Sequence, residues 1–74
     1  MARKRYTVEF RFSPDSMTWL VRHAGKVLVR HIRKRDAVSD GARFARADPP
    51  SMLLVRRMDG SEQERRRYGR VRRK

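Results

Sequence analysis

Only one stretch of this chain carries a helical period, Arg33 to Asp48, and everything around it alternates like short strands. Ala37, Val38, Gly41, Ala42, Phe44 and Ala45 fall at the i, i+3, i+4, i+7 spacing of one buried face. Arg35, Ser39, Arg43 and Arg46 fall mostly on the opposite side. Asp36 occupies the first turn, where the positive end of the helix dipole favours a carboxylate. Pro49-Pro50 ends the helix, because proline cannot continue it and the residue before a proline avoids the α region. Gly41 costs about 1 kcal/mol against alanine inside a helix, which points to close packing of the helix on a sheet. The apolar stripe is therefore read as core rather than as a cofactor or partner surface.

The flanking segments supply that sheet. Tyr6, Val8, Phe10 and Phe12 alternate with Thr7, Glu9, Arg11 and Ser13, the period of a half-buried strand. Ser13-Pro14-Asp15-Ser16 reads as a turn. Thr18 to His23 makes a second strand with Trp19 and Val21 on one face, and Trp19 is read as core. Ala24-Gly25 turns the chain, although alanine suits poorly a first turn position that needs positive φ. Lys26 to Ile32 is a third strand, with Val27 and Val29 on one face and Leu28, Arg30 and Ile32 on the other. After the helix, Met52 to Met58 and Ser61 to Tyr68 form a hairpin around Asp59-Gly60, the dipeptide suited to a two-residue type I′ turn. That register sets Met58 opposite Ser61, Arg57 opposite Glu62 and Val55 opposite Glu64, with Arg57–Glu62 as an exposed ion pair. The expected fold is α+β: an antiparallel sheet in the order β-β-β-α-β-β with one helix packed on one face. It divides the chain into a basic N-terminal arm (1–5), one small domain (6–69) and a basic C-terminal tail (70–74). The uncovered sheet face would carry Arg11, Arg22 and Arg30.

The spacing of these residues resembles a known family. Trp19-x-Val21 with Gly25, Asp36-Ala37-Val38 in the helix, Leu53-Leu54-Val55, Asp59-Gly60, Gln63-Glu64-Arg65 and Tyr68-Gly69 resemble the small prokaryotic domain of unknown function 2188 over about residues 6 to 69. The resemblance implies a compact α+β domain and no assigned activity. This chain departs from the pattern at Arg33, where a Thr or Ser often caps the helix, at Glu62, where an apolar residue often follows the turn, and in its basic tail.

Charge carries the functional signal. Twenty-one lysines and arginines stand against eight acids, a net charge of +13. Lysine occurs only at Lys4, Lys26, Lys34 and Lys74. Arginine binds phosphate bidentately and stacks on bases, which lysine does not. Three clusters stand out: Arg3-Lys4-Arg5, Arg33-Lys34-Arg35 at the helix start, and Arg65-Arg66-Arg67. The tail adds Arg70, Arg72, Arg73 and Lys74, and Tyr68 stands among arginines as a candidate for stacking on a base. Clusters of this kind form an electrostatic footprint for a phosphate backbone.

Other chemistries find little support. The chain has no cysteine, so disulfides, thiol chemistry and cysteine zinc sites are excluded. His23 and His31 lack metal-ligand spacing, no carboxylate pair stands out for acid–base work, and no nucleophile elbow or phosphate-binding glycine loop is visible. No apolar run approaches the ~18 residues of a membrane span, and the N-terminus does not read as a signal peptide. The expectation is a non-enzymatic cytoplasmic protein, without cofactor, metal, membrane or small-molecule substrate. It would grip DNA or RNA by the phosphates with little sequence preference. The alternative is a protein-interaction module, phage-encoded or ribosome-associated, that binds an acidic partner or pairs with a second copy through a sheet edge as a homodimer.

Overall fold

A computed structural model describes residues 3–13 and 16–69. The expected turn residues Pro14 and Asp15, and the tail with Arg70, Arg72, Arg73 and Lys74, lie outside the described residues. Five strands and one helix follow in order: β1 (Lys4–Ser13), β2 (Ser16–His23), β3 (Lys26–His31), α1 (Lys34–Arg46), β4 (Ser51–Arg56) and β5 (Glu62–Tyr68). They form one sheet ordered β3-β2-β1-β4-β5, and α1 packs over β1, β2, β3 and β4. The α+β class and the element order match the expectation.

One pairing makes the sheet mixed. β1 and β4 run parallel, with Tyr6 beside Leu53 and Val8 beside Val55, while the other three pairs are antiparallel. The cause is the helix. A helical crossover carries the chain back to the end of the sheet where the preceding strand began, so the strands on either side of it run the same way. β3, α1 and β4 make such a unit, stepping over β2 and β1 to reach the free side of β1.

The core sits between α1 and one sheet face. Tyr6, Val8, Trp19, Val21, Leu53 and Val55 from the sheet meet Ala37, Ala42 and Ala45 from the helix. Trp19 is only 8% exposed, as expected of a core residue. Gly41 lies at the closest approach: a Cβ there would stand 2.9 Å from Leu53 Cδ1 and 3.1 Å from Val8 Cγ2. Behind the helix, the Ser51 hydroxyl donates to the Ala45 carbonyl and is completely buried, tying the helix C-terminus to the start of β4. The Pro49-Pro50 bond between them is cis. At the other end Arg33 holds the N-cap position without a side-chain cap, as its departure from the usual Thr or Ser requires.

The first hairpin tip is the expected Ala24-Gly25 turn: His23 pairs with Lys26, and Ala24 adopts φ +53° and Gly25 φ +78°, so alanine does sit in the left-handed region. The strand beside it and the second hairpin tip differ from the sequence expectation. A register shift then falls between Val21 and Arg22, placing Val29 opposite Val21 but Val27 opposite Arg22. Val27 and Val29 therefore do not share a face. Val29 packs on the core, Val27 is 37% exposed, and Ile32 lies beyond the strand at 84% exposure.

The β4–β5 turn is longer than two residues. The Arg57 N–H donates to the Ser61 carbonyl and the Gly60 N–H to the Arg57 carbonyl, so the loop is Met58-Asp59-Gly60 and Met58 does not face Ser61. The Asp59 carboxylate accepts from the Ser61 N–H at 2.9 Å and from its hydroxyl at 2.6 Å, which favours this wider turn. An irregularity between Val55 and Arg56 absorbs the one-residue difference, leaving Gln63 without a partner and restoring Val55 opposite Glu64. The expected Arg57–Glu62 ion pair is absent. Arg57 donates to the Glu62 carbonyl, and the Glu62 carboxylate pairs with Arg65 at 2.8 Å.

Two substitutions test this packing in opposite directions. Gly41→Val forces methyl groups into Leu53 and Val8, and is expected to lower unfolding free energy by about 1–3 kcal/mol. Ala24→Asn relieves the left-handed alanine and is expected to raise it by roughly 1 kcal/mol. Urea denaturation of both variants against the parent protein measures each change.

Candidate functional site

The sheet has one face without a helix, and strand parity decides what stands on it. Register with the buried residues puts Arg5, Thr7, Glu9 and Arg11 of β1 there, with Leu20 and Arg22 of β2 and Arg30 of β3. Across the parallel seam it continues through Met52, Leu54 and Arg56 of β4 to Glu62, Arg65 and Arg67 of β5. Seven arginines thus share one uncovered face. Among the described residues only two carboxylates join them, Glu9 and Glu62, so the face carries a formal charge of 7 − 2 = +5.

Two leucines sit beneath this layer of charge. Leu20 is 2% exposed and Leu54 4% exposed, although among the described residues no helix or strand crosses the face above them. Their register neighbours are Glu9 and Arg30 for Leu20, and Thr7 and Arg65 for Leu54. The long stems of arginine can cover apolar surface while the guanidinium stays in water. The face therefore combines a buried apolar floor, Leu20 and Leu54, with a surrounding set of arginines.

Ion pairs neutralise part of the layer. Arg22 Nη1 lies 3.3 Å from Glu9 Oε1, and Arg65 Nη2 lies 2.8 Å from Glu62 Oε1. Arg56 donates to the Gly60 carbonyl at 2.9 Å. Arg5, Arg30 and Arg67 make no ion pair with a described carboxylate. Arg5, Thr7, Glu9, Arg22 and the turn at Ala24-Gly25 also line a shallow hollow of about 230 Å³ at one end of the face.

The clusters read from the sequence do not assemble into one patch. Arg5, Arg65 and Arg67 reach the open face, but their neighbours alternate away from it. Lys4 binds Asp48 at 2.6 Å on the helix side. Arg66 holds Glu64 through two nitrogens at 3.1 and 3.2 Å, which pushes its already high pKa further up, with Tyr68 adding to the effect. Arg3 spans β4 and β5 by donating to the Ser51 carbonyl at 3.1 Å and the Tyr68 carbonyl at 2.9 Å. Tyr68 is half-buried and packs against the core, so its ring lies on the helix side. Arg33 and Arg35 are exposed at the helix start. Lys34 lies 5.1 Å from the centre of the Trp19 ring and hydrogen-bonds Gln63. With Arg57, Met58 and Asp59 these three residues line a separate hollow on the helix side.

The histidines take structural places. His23 stacks on Tyr6 at 4.1 Å with its ring almost parallel. His31 Nε2 lies 2.6 Å from Asp40 Oδ2, a contact between β3 and α1 that spacing along the chain did not reveal. Among the described residues no three histidines or acids come together to hold a metal, and no helix is long and apolar enough to cross a membrane. Arg11, Arg22 and Arg30 stand where the sequence placed them. Arg56 was missed, because its face depends on the parallel β1–β4 pairing.

A family model, described as an uncharacterized protein conserved in bacteria (DUF2188), matches residues 6–68. The chain belongs to the DUF2188 family. No curated protein and no solved structure matches it. Membership agrees with the resemblance carried by Trp19, Asp59-Gly60 and Tyr68-Gly69. The match ends before the basic tail.

Asp48 gives the helix side a pH dependence. Hydrogen bonds from Lys4 and then from Tyr6, which donates its phenol proton at 2.8 Å, hold the Asp48 carboxyl below its ordinary pKa. Burial and the same carboxylate push the Tyr6 phenol up. A depressed carboxyl pKa adds stability that is fully present above the unfolded value of about 4. That contribution is lost as pH falls through the folded value. Asp48→Asn is therefore expected to be less stable than the parent at neutral pH and to lose less stability on acidification. Thermal unfolding of both proteins from pH 7 to pH 2 checks the convergence, the range lying on both sides of the ordinary carboxyl pKa of about 4.

Proposed function

We propose that this DUF2188 protein is a non-enzymatic nucleic-acid-binding protein whose contact surface is the arginine face of the sheet. The observation that carries this reading is the placing of seven arginines and two carboxylates on the one face the helix leaves uncovered. The other described residues carry ten cations against five acids, a net charge of 10 − 5 = +5 that equals that of the open face. What marks the open face is that seven arginines share one continuous sheet surface with only two acids, an arrangement that attracts a polyanion.

The arrangement favours contact with phosphate over contact with bases. Guanidinium forks match phosphate oxygens in pairs. Among the described residues no helix projects from the face to enter a groove, because α1 is packed behind the sheet. Sequence readout by a helix has no element there to perform it. Arg5 and Arg67 flank Met52 along one row of the sheet, and Arg22 and Arg65 lie in the row through Thr7 and Leu54. These rows set several cations at fixed separations, which lowers the ordering cost of gripping a regular anionic chain.

Phosphate contacts release counterions, so affinity should fall steeply with salt. Engagement of four to six arginines predicts a slope of log K against log salt of roughly −4 to −5. The double substitution Arg5→Gln/Arg67→Gln on the open face should flatten that slope by about 2 units. The same loss of charge at Arg33→Gln/Arg35→Gln on the helix side should change it by less than about 0.5 unit on the same scale. Fluorescence anisotropy with labelled DNA and RNA measures the slopes. Equal loss from both pairs would mean that net charge, not this face, drives association.

A further inference from the structure

The same face indicates which form of nucleic acid it fits. Resting on the reading just given, we infer that the ligand is a double helix, held by the phosphates of both of its strands, and not a single strand.

Two independent observations lead there. The first is where the aromatic rings are. The chain has six aromatic residues, Tyr6, Phe10, Phe12, Trp19, Phe44 and Tyr68. Phe44 is on α1, and the other five occupy strand positions on the helix side, in register with the core. None stands on the arginine face. Tyr6 and Trp19 are buried, and Phe10, Phe44 and Tyr68 pack against the core. Proteins that hold single strands gain about 1–3 kcal/mol for each base stacked on an aromatic ring. This face offers no ring for a base to stack on, so unstacking the bases would bring no return.

The second observation is the span of the charge. Arg30 lies on one edge strand, and Arg65 and Arg67 lie on the other, with Arg5, Arg11, Arg22 and Arg56 between them. Five strands cover four interstrand gaps, a width of about 19 Å. That exceeds the openings of the minor groove, about 6 Å, and of the major groove, about 12 Å. A sheet face this wide cannot enter either groove whole. It can lie across one, with its two edges over the two flanking backbones. An array of cations on strands at both edges of the sheet answers two backbones at a fixed separation. A single strand has one backbone and would have to fold back on itself to meet both edges. The higher phosphate density of a duplex also releases more counterions per contact.

The test compares four ligands under identical low-salt conditions: a DNA duplex of about two helical turns, an RNA duplex of the same sequence, and a single, unpaired strand of each. Anisotropy reports affinity, and Trp19 emission reports stacking. At least one duplex is expected to bind tenfold or more tighter than its own single strand, on the order of the gap that doubling the phosphate contacts produces. Which duplex binds better separates DNA from RNA. Trp19 emission is expected to stay unchanged with every ligand. Arg30→Gln and Arg67→Gln, at opposite edges, should each weaken duplex binding at least threefold and narrow its advantage over the single strand, as loss of one phosphate contact does. Circular dichroism of both variants checks that the exposed substitutions leave the fold intact. Single strands binding as tightly as duplexes, or quenching Trp19, would overturn the inference while leaving nucleic-acid binding standing. Failure of all four ligands to bind would instead overturn the functional reading on which it rests.

Discussion

The structure depends on the contact between Gly41 and the seam where β1 and β4 run parallel. Leu53 and Val8 come within the reach of a single missing methyl group there. That proximity lets α1 lie over the middle of the sheet, where Ala37, Ala42 and Ala45 supply small surfaces to either side. Small helix residues against branched strand residues leave little empty space, and interiors of this density transmit any change of volume. The helix carries no side-chain N-cap and a glycine in its interior, so its own propensity contributes little. Packing against the sheet is what holds it.

Seating the helix on one face determines what the other can become. The chain is short and its core small, so it builds one layer of helix and not two. The second face must then be stable against water. Leu20 and Leu54 are almost fully buried there, with Arg30 and Arg65 among their cross-strand neighbours, and the stems of such long side chains can cover apolar surface. Arginine serves both needs, with a stem that covers leucine and a head that remains charged. The residues that keep the open face soluble are the same residues that give it a potential.

Much of the fold was legible because alternation and helical period are local. Each strand is written in ten residues or fewer, and the 13-residue helix and its stop at Pro49 in one continuous stretch, bounded by a few punctuating residues. What escaped were features that depend on more than one segment. The parallel seam follows from the crossover through α1, a property of the β3–α1–β4 connection and not of any strand. The bulges at Val21–Arg22 and Val55–Arg56 insert a single residue with no composition of their own. The three-residue turn at Met58-Asp59-Gly60 follows from Asp59 reaching Ser61, a side-chain choice that the dipeptide Asp59-Gly60 leaves open.

The candidate site shows the same limit in another form. Three consecutive arginines look like one cluster in a sequence, but on a strand they are two sites on opposite faces. Arg65 and Arg67 go to the open face, and Arg66 goes to the helix side and is held by Glu64. Lys4 and Arg5 divide in the same way, with Lys4 bound to Asp48. The informative unit is therefore not the run of charges but their parity relative to the buried residues. Arg5 and Arg11 are odd where Tyr6, Val8 and Phe10 are even. Arg22 and Arg30 are even where Trp19, Val21 and Val29 are odd. Counting parity from the apolar positions assigns these four to one face with no coordinates at all. Arg56, Arg65 and Arg67 join them only once Val8 is known to lie beside Val55, because parity propagates from strand to strand only through the pairing register. A basic face on a small sheet can thus be read from sequence as far as its pairings can, and in this chain the pairing that decides it is the parallel one.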